Sequence, residues 1–420
     1  MVYSAESRDG NTLKNAIVFL SLLMFGLNAL TLQEATAKDE ETYGASEIQV
    51  TADEIIDAEY DQENARFTFT DRNRNLWIGN VDPLTGDFLP PNGRAILVDT
   101  NAAFVTDFGN GPEWLFSNQG AEIVYTKYLP DQPLLSKNAN IAKAALSGGN
   151  WVGDFLSTSG GRSSPIGSLD KYDTNPRIHY QGVIGSTFYW SGSDDLTLEE
   201  KVPDSSKMVG GNRRWVPEMS AIIFTAEVED TNGNATPQVF LYHTDTRILE
   251  QLTSDDGGKE EAYMWKAPEH NNEYVFFVMI DRTKLRVYRK IDTNGEGLYK
   301  WTAINTIDAP KAMPYIWSPE PFTHNGKSYI FLVLSASESP YSMLAPSQIG
   351  LTSIDSKLAG IRFLTSNSEI KRVRMDPEVF ITSESPYIYY NRYFPATAKS
   401  APVQDGVWRV DTGLGPALVP

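Results

Sequence analysis

GNGPEWLFSNQGAEIVYTKY, residues 109–128, joins a Pro-Glu-Trp triplet to a short apolar run, a turn rich in Asn and Gly, and an alternating run ending in Tyr. Short runs with period-two alternation, bounded by turn residues, predict β-strands and hairpins. The Pro-Glu pair returns in WVPEM, KAPEH, WSPEP and MDPEV, at Glu218, Glu269, Glu320 and Glu378. Two further copies are degenerate: Ala58-Glu59-Tyr60 before ARFTFTD, and Pro176-Arg177 before STFYWS. Seven starts at 59, 113, 177, 218, 269, 320 and 378 give a period near fifty built from short strands, which predicts a β-propeller.

The remaining strands fit this period. LRVYRKIDTNGEGLYKWTAINTID and QVFLYHTDTRILEQLTSDD read as strand, tight turn, strand, with Gly beside Asn or Asp where hairpins need positive φ. The last repeat, YIYYNRYF to GVWRVDTG, is one strand short, and SEIQVTADE (46–54) supplies the missing fourth strand. The expectation is therefore an all-β, seven-bladed propeller closed by an N-terminal strand, which removes the exposed sheet edges. Six blades is the alternative count, because the 177 repeat is short and irregular.

In residues 16–32 an apolar run follows Lys14 and leads to a small-residue site at Ala35–Ala37. Residues 1–37 read as a secretory signal and 38–420 as one propeller domain, periplasmic or secreted and monomeric, with no membrane span once the signal is removed. Cysteine is absent, which excludes disulfides, thiolate metal sites and a lipoprotein anchor. A net charge of −18 opposes general nucleic-acid binding, where phosphate attraction is the main term.

GPEWLFSNQGAEIVYTK resembles the repeat unit of TolB-like (WD40-like) β-propellers, and VFLYHTDTRILEQLTSDDG is similar to that family's third and fourth strands, ending in a Leu-Thr pair. The likeness runs through 46–415, strongest over 59–130 and 218–300 and weakest over 131–217. The Ser-Pro-Asp-Gly turn is degraded in every copy. The resemblance implies the fold and leaves the function open, since such propellers serve as interaction domains, peptidase gates and enzymes on acidic polysaccharides. SPEPFTHNGKSYIFLVLS (318–335) also looks like a blade of five-bladed glycoside hydrolases.

Three sets of residues carry candidate chemistry. Glu59, Glu113, Glu218, Glu269, Glu320 and Glu378 open their repeats and are expected to rim the channel. There they could hold a divalent cation such as calcium, act as acid and base, or simply accept hydrogen bonds from the next blade. Arg177, His179 and Tyr180 break the repeat. Arg177 and His179 share a strand face, and an Arg–His–Tyr set would suit a lyase acting on uronic acids. Arg213, Arg214, Trp215, Trp265, Trp317, Arg372 and Arg374 precede the Pro-Glu words and would suit an acidic glycan or a partner protein. The Ser/Gly stretch STSGGRSSPIGS (157–168) reads as a long surface loop, and the two DTNG words (230–233, 292–295) as hairpin turns. The function expected is ligand binding at one end of the ring, with a polysaccharide lyase or glycoside hydrolase on the same scaffold as the alternative.

Overall fold

The structure, a computed structural model, describes residues 47–103, 110–182, 187–229, 234–293, 295–339, 343–355, 360–368 and 370–418. The expected signal, 1–37, lies outside the described residues, as does the DTNG word at 230–233. Seven antiparallel sheets follow one another along the chain. Their innermost strands are Ile56–Asp61, Glu113–Ser117, Arg162–Gly167, Met208–Trp215, Lys259–Ala267, Tyr315–His324 and Val373–Ile381, in blades 1 to 7. Each lies against the next, and blade 7 returns to blade 1, so the ring closes. The chain is a seven-bladed β-propeller with no α-helix among the described residues.

The second strand of a blade is covered on both faces by neighbouring blades. That is why it reads as a continuous apolar run rather than an alternating one. Glu273–Ile280 (EYVFFVMI) and Lys327–Ser335 (KSYIFLVLS) are buried almost throughout. The apolar core is accordingly divided into seven clusters, one in each gap between blades.

Closure follows the expectation. Ile48–Thr51 adds a fourth strand to blade 7 by pairing with Val403–Asp411. Just before it, the Glu47 carboxylate accepts hydrogen bonds from Arg374 (2.8 and 2.7 Å) and Tyr390 (2.6 Å). Arg374 is fully buried, so its charge depends on this partner.

Blade 3 differs from the sequence reading. The expected surface loop at 157–168 contains Arg162–Gly167, the innermost strand of the blade, and residues 163–167 are buried. Arg177 therefore opens the second strand, Arg177–Gly182, and STFYWS contributes the third, Phe188–Gly192. In blades 4 and 5 the Pro-Glu word comes after the inner strand. Glu218 sits in the turn leading to Ala221–Glu229, and Glu269 in the single turn of 3-10 helix Pro268–His270. The DTNG word at 292–295, of which Asn294 lies outside the described residues, falls between the paired strands Lys284–Asp292 and Tyr299–Asp308, and Asp292 accepts a bond from Gly295 N (2.9 Å).

Candidate functional site: the ring channel

Five inner strands carry the same irregularity. Their register with the second strand slips once, at a residue with positive φ: Asp57 (52°), Ser164 (51°), Glu261 (54°), Ser318 (42°) and Asp376 (50°). A bulge re-aims the side chains around it, and a left-handed non-glycine residue costs roughly 1 kcal/mol, so five in equivalent places are a maintained feature. Two residues after each bulge stand Glu59, Ile166, Tyr263, Glu320 and Glu378. Glu113 and Arg213 occupy the same register in blades 2 and 4, opposite Val124 and Phe224.

These positions face the ring's centre, where charges from blades 1, 2, 6 and 7 act on one another. Burial, then repulsion from Glu113 and Glu378, holds Glu59 well above the usual carboxylate range. Burial followed by Glu320 and Glu113 does the same to Glu378. Asp57 is pushed up to about 8 by burial and by Asp376, although Gly111 N of the next blade donates to it. Burial raises Asp376 as well. Burial raises Glu113 and Glu261 to about 7 each, with Arg214 opposing the rise in both.

Arg214 is the counter-charge. Its Nε donates to the Tyr263 hydroxyl (3.0 Å), which donates to Glu320 Oε1 (2.7 Å), and its Nη2 lies 3.5 Å from the same oxygen. Burial works against the guanidinium, but Tyr263, Glu320 and Glu113 outweigh it and hold Arg214 charged. The neighbouring Arg213 is also near enough to Glu113 for the two charges to act on each other, but it bonds to residues of blade 3. It donates to His179 Nδ1 (2.9 Å) and to Ser164 O (2.8 Å), and stacks on Phe188. Asn110 donates to Glu113 Oε1 (3.1 Å). Glu261 Oε2, shut off from water, accepts nothing among the described residues.

Of the six glutamates expected at the rim, four reach the channel: Glu59, Glu113, Glu320 and Glu378. Glu218 is on the outside, paired with Lys266 at 2.6 Å. Glu269 clamps blade 6 by accepting from Ser328 N (2.8 Å) and Ser328 Oγ (2.9 Å). The sequence reading missed Asp57, Glu261 and Asp376. The signal for them is an acidic residue two before the channel position, in DAE (57–59), EAY (261–263) and DPE (376–378).

Arg177, His179 and Tyr180 do not converge on one opening. Arg177 bonds Thr244 Oγ1 (2.5 Å) and pairs with Asp245 (2.9 Å) in blade 4. His179 is fully buried, and burial with Arg213 and Arg214 nearby keeps it far below its ordinary value, hence neutral. Tyr180 donates to Glu199 (2.7 Å) on the opposite face.

The tryptophans fill gaps between blades. Trp215 Nε1 donates to Ile166 O and Trp265 Nε1 to Ser328 Oγ, both at 3.0 Å, and Trp317 is buried under Arg282. Arg372 is buried and held by Asp405 (3.0 Å). Among the described residues, no three His, Asp or Glu side chains are arranged to hold one metal ion. None of their helices is long and apolar enough to cross a membrane.

Among solved structures, the chain is similar to the β-propeller domain of Cps50 (Swd1) from Myceliophteria thermophila, with a TM-score of 0.52 and 6% identity, covering 88% of this chain and 99% of that one. The β-propeller domain of the Trilobed protease from Pyrococcus furiosus gives a TM-score of 0.44 at 11% identity, over 87% of this chain and 95% of that one. TolB from Acinetobacter baumannii gives 0.34 at 15%, over 70% and 64%. No family profile and no curated protein sequence matches the chain. The likeness to the Cps50 (Swd1) propeller domain and the seven sheets agree on one conclusion: the chain is a β-propeller.

Proposed function

We propose that this is an exported, TolB-like binding propeller that takes a cationic ligand in its channel. The observation that carries the reading is the set of carboxyls from blades 1, 2, 5 and 7, held above their ordinary values and answered chiefly by Arg214. A positive ligand relieves that repulsion on arrival and meets the unbonded Glu261 oxygen. The carboxyls are spread around the ring rather than gathered on one point, which favours an extended polyamine or a Lys-rich protein segment over a single calcium ion. Arg213, Arg372 and Arg374, on which an acidic glycan would depend, are engaged internally. Export rests on the leader-like residues 1–37.

Titration with spermidine and with a short oligolysine, against an oligoglutamate control, tests the reading. Binding should weaken with salt and fall roughly tenfold or more in a Glu59→Gln, Glu378→Gln double variant that keeps its fold. Equal binding by that variant would refute the channel as the site. A second reading, hydrolysis of a glycan at the channel, is favoured by Glu113, whose proton is retained near neutrality as a general acid requires. Product release from neutral or uronic-acid polysaccharides, lost in Glu113→Gln, would establish it.

A further inference from the structure

Two inner-strand arginines are held in opposite ways. Arg374 has no accessible side chain, and it grips both oxygens of Glu47, with Nε at 2.8 Å and Nη2 at 2.7 Å. It also bonds Asn367 Oδ1 and Ser366 O. Arg214 is anchored, among the described residues, through Nε alone, to the Tyr263 hydroxyl. Its Nη2 stands 3.5 Å from Glu320 Oε1, beyond the usual hydrogen-bond range, and the Arg214 and Glu320 side chains stay 21% and 24% accessible. Arg374 has the fully bonded setting of an architectural arginine, and Arg214 that of a loosely seated cation.

The seat suits a planar cation. Tyr263 OH donates to Glu320 Oε1 (2.7 Å) and accepts from the guanidinium, so a hydroxyl and a carboxylate oxygen stand side by side as acceptors. The Tyr263 ring lies 5.2 Å from the Arg214 Cζ and is itself stacked on Phe277, which fixes its face. A cation entering the channel therefore meets a seat already filled by a cation of this chain.

We propose that the Tyr263–Glu320 pair is the guanidinium seat of the channel's ligand, and that Arg214 occupies it in the free protein as an internal competitor. Resting on the reading of the channel as a cation site, this narrows the ligand to a small guanidino-amine. Its guanidinium takes the two acceptors as Arg214 gives them up, and its ammonium lies toward the acidic arc of Glu378, Glu59 and Glu113.

Isothermal titration of the whole chain with agmatine and putrescine tests it. Agmatine is putrescine with one amine converted to a guanidine, so the two dications differ in the group that enters the seat. Wild type should prefer agmatine. Arg214→Lys keeps the charge but loses the planar fork. It should bind agmatine roughly tenfold tighter than wild type, about the worth of a charged hydrogen bond, with putrescine changed by less than about threefold. Tyr263→Phe removes one acceptor and should abolish the preference. If Arg214→Lys fails to fold, Arg214→Gln decides: losing a charge tightens both ligands, but vacating the seat should tighten agmatine more. Equal gains for both ligands, no gain, or a preference that survives Tyr263→Phe overturns the competitor and leaves the channel a cation site. No binding of agmatine, putrescine or spermidine by any form overturns both readings.

Discussion

At the backbone position that follows the inner-strand irregularity, blades 6, 7, 1 and 2 present Glu320, Glu378, Glu59 and Glu113, whereas blades 3, 4 and 5 present Ile166, Arg213 and Tyr263. The acidic residues form one unbroken arc of the ring, and the other three positions form the rest. A residue with a purely structural task would recur all the way round. A charge confined to neighbouring blades instead gives the channel a direction, with the four repeat glutamates along one arc and Arg214 of blade 4 reaching to Glu320. The channel thus stores repulsion along that arc and draws its main counter-charge from outside it.

Removing that counter-charge should have the largest effect. Arg214→Ala removes the cation shared by Glu113, Glu261 and Glu320, and denaturant unfolding should show a loss on the order of 3 kcal/mol. A loss below that of an ordinary surface substitution would mean that Arg214 and the arc are not coupled. Next comes pH. Asp57 rises from 3.8 to about 8, and Glu113 and Glu261 from 4.5 to about 7. A raised folded-state value means that this stabilisation is complete below the unfolded value and is lost as pH climbs through the folded one. The melting temperature should therefore fall by roughly 5 °C or more between pH 5 and pH 9. Below about pH 4 the sign reverses, because Glu47, Glu199 and Asp255 are held low by their partners and lose them on protonation.

A smaller change is expected from Glu59→Gln with Glu378→Gln. This pair should flatten the pH dependence and raise the melting temperature at pH 8 by roughly 2 °C, since it deletes two members of the acidic arc. A drop in melting temperature at that pH would assign both residues to the architecture instead. Smallest of all is Glu218→Gln, a marker with the same sequence signature but outside the channel. It should change stability by less than about 0.5 kcal/mol by chemical denaturation.

The contrast between Glu218 and Glu113 also shows what the sequence could convey. Blade number and closure were legible because each second strand is sandwiched between blades and leaves an apolar run, and because the last repeat lacks a strand that residues 46–54 supply. The Pro-Glu word was a poorer guide, since the same pair serves two places. Glu218 stands three residues before its second strand at Ala221, and Glu269 four before Glu273. Glu113 and Glu320 each stand seven before theirs, at Gly120 and Lys327. Three residues cannot hold an inner strand and its turn, so the spacing separates turn markers from channel residues. Blade 3 resisted because its inner strand is RSSPIG, whose Ser, Pro and Gly carry the composition of a loop. The burial that makes it a strand comes from its neighbours. The identity of the channel wall was hidden for a different reason. A register slip at Asp57, Glu261 or Asp376 depends on pairing across strands, which no local word records.

The ring is sealed by joining Ile48–Thr51 to Val403–Asp411, the beginning of the fold to its end. A ribosome delivers these two strands at opposite ends of the described chain, so blade 7 cannot be completed until the rest of the propeller has been made. Until then Glu47 has no Arg374 to hold, and the flank of blade 1 that will face Phe380 and Tyr389 stands open. Pairing of strands so far apart in sequence carries a large loop-closure cost, and the open flank of an unsealed ring would be the surface most exposed to misassociation.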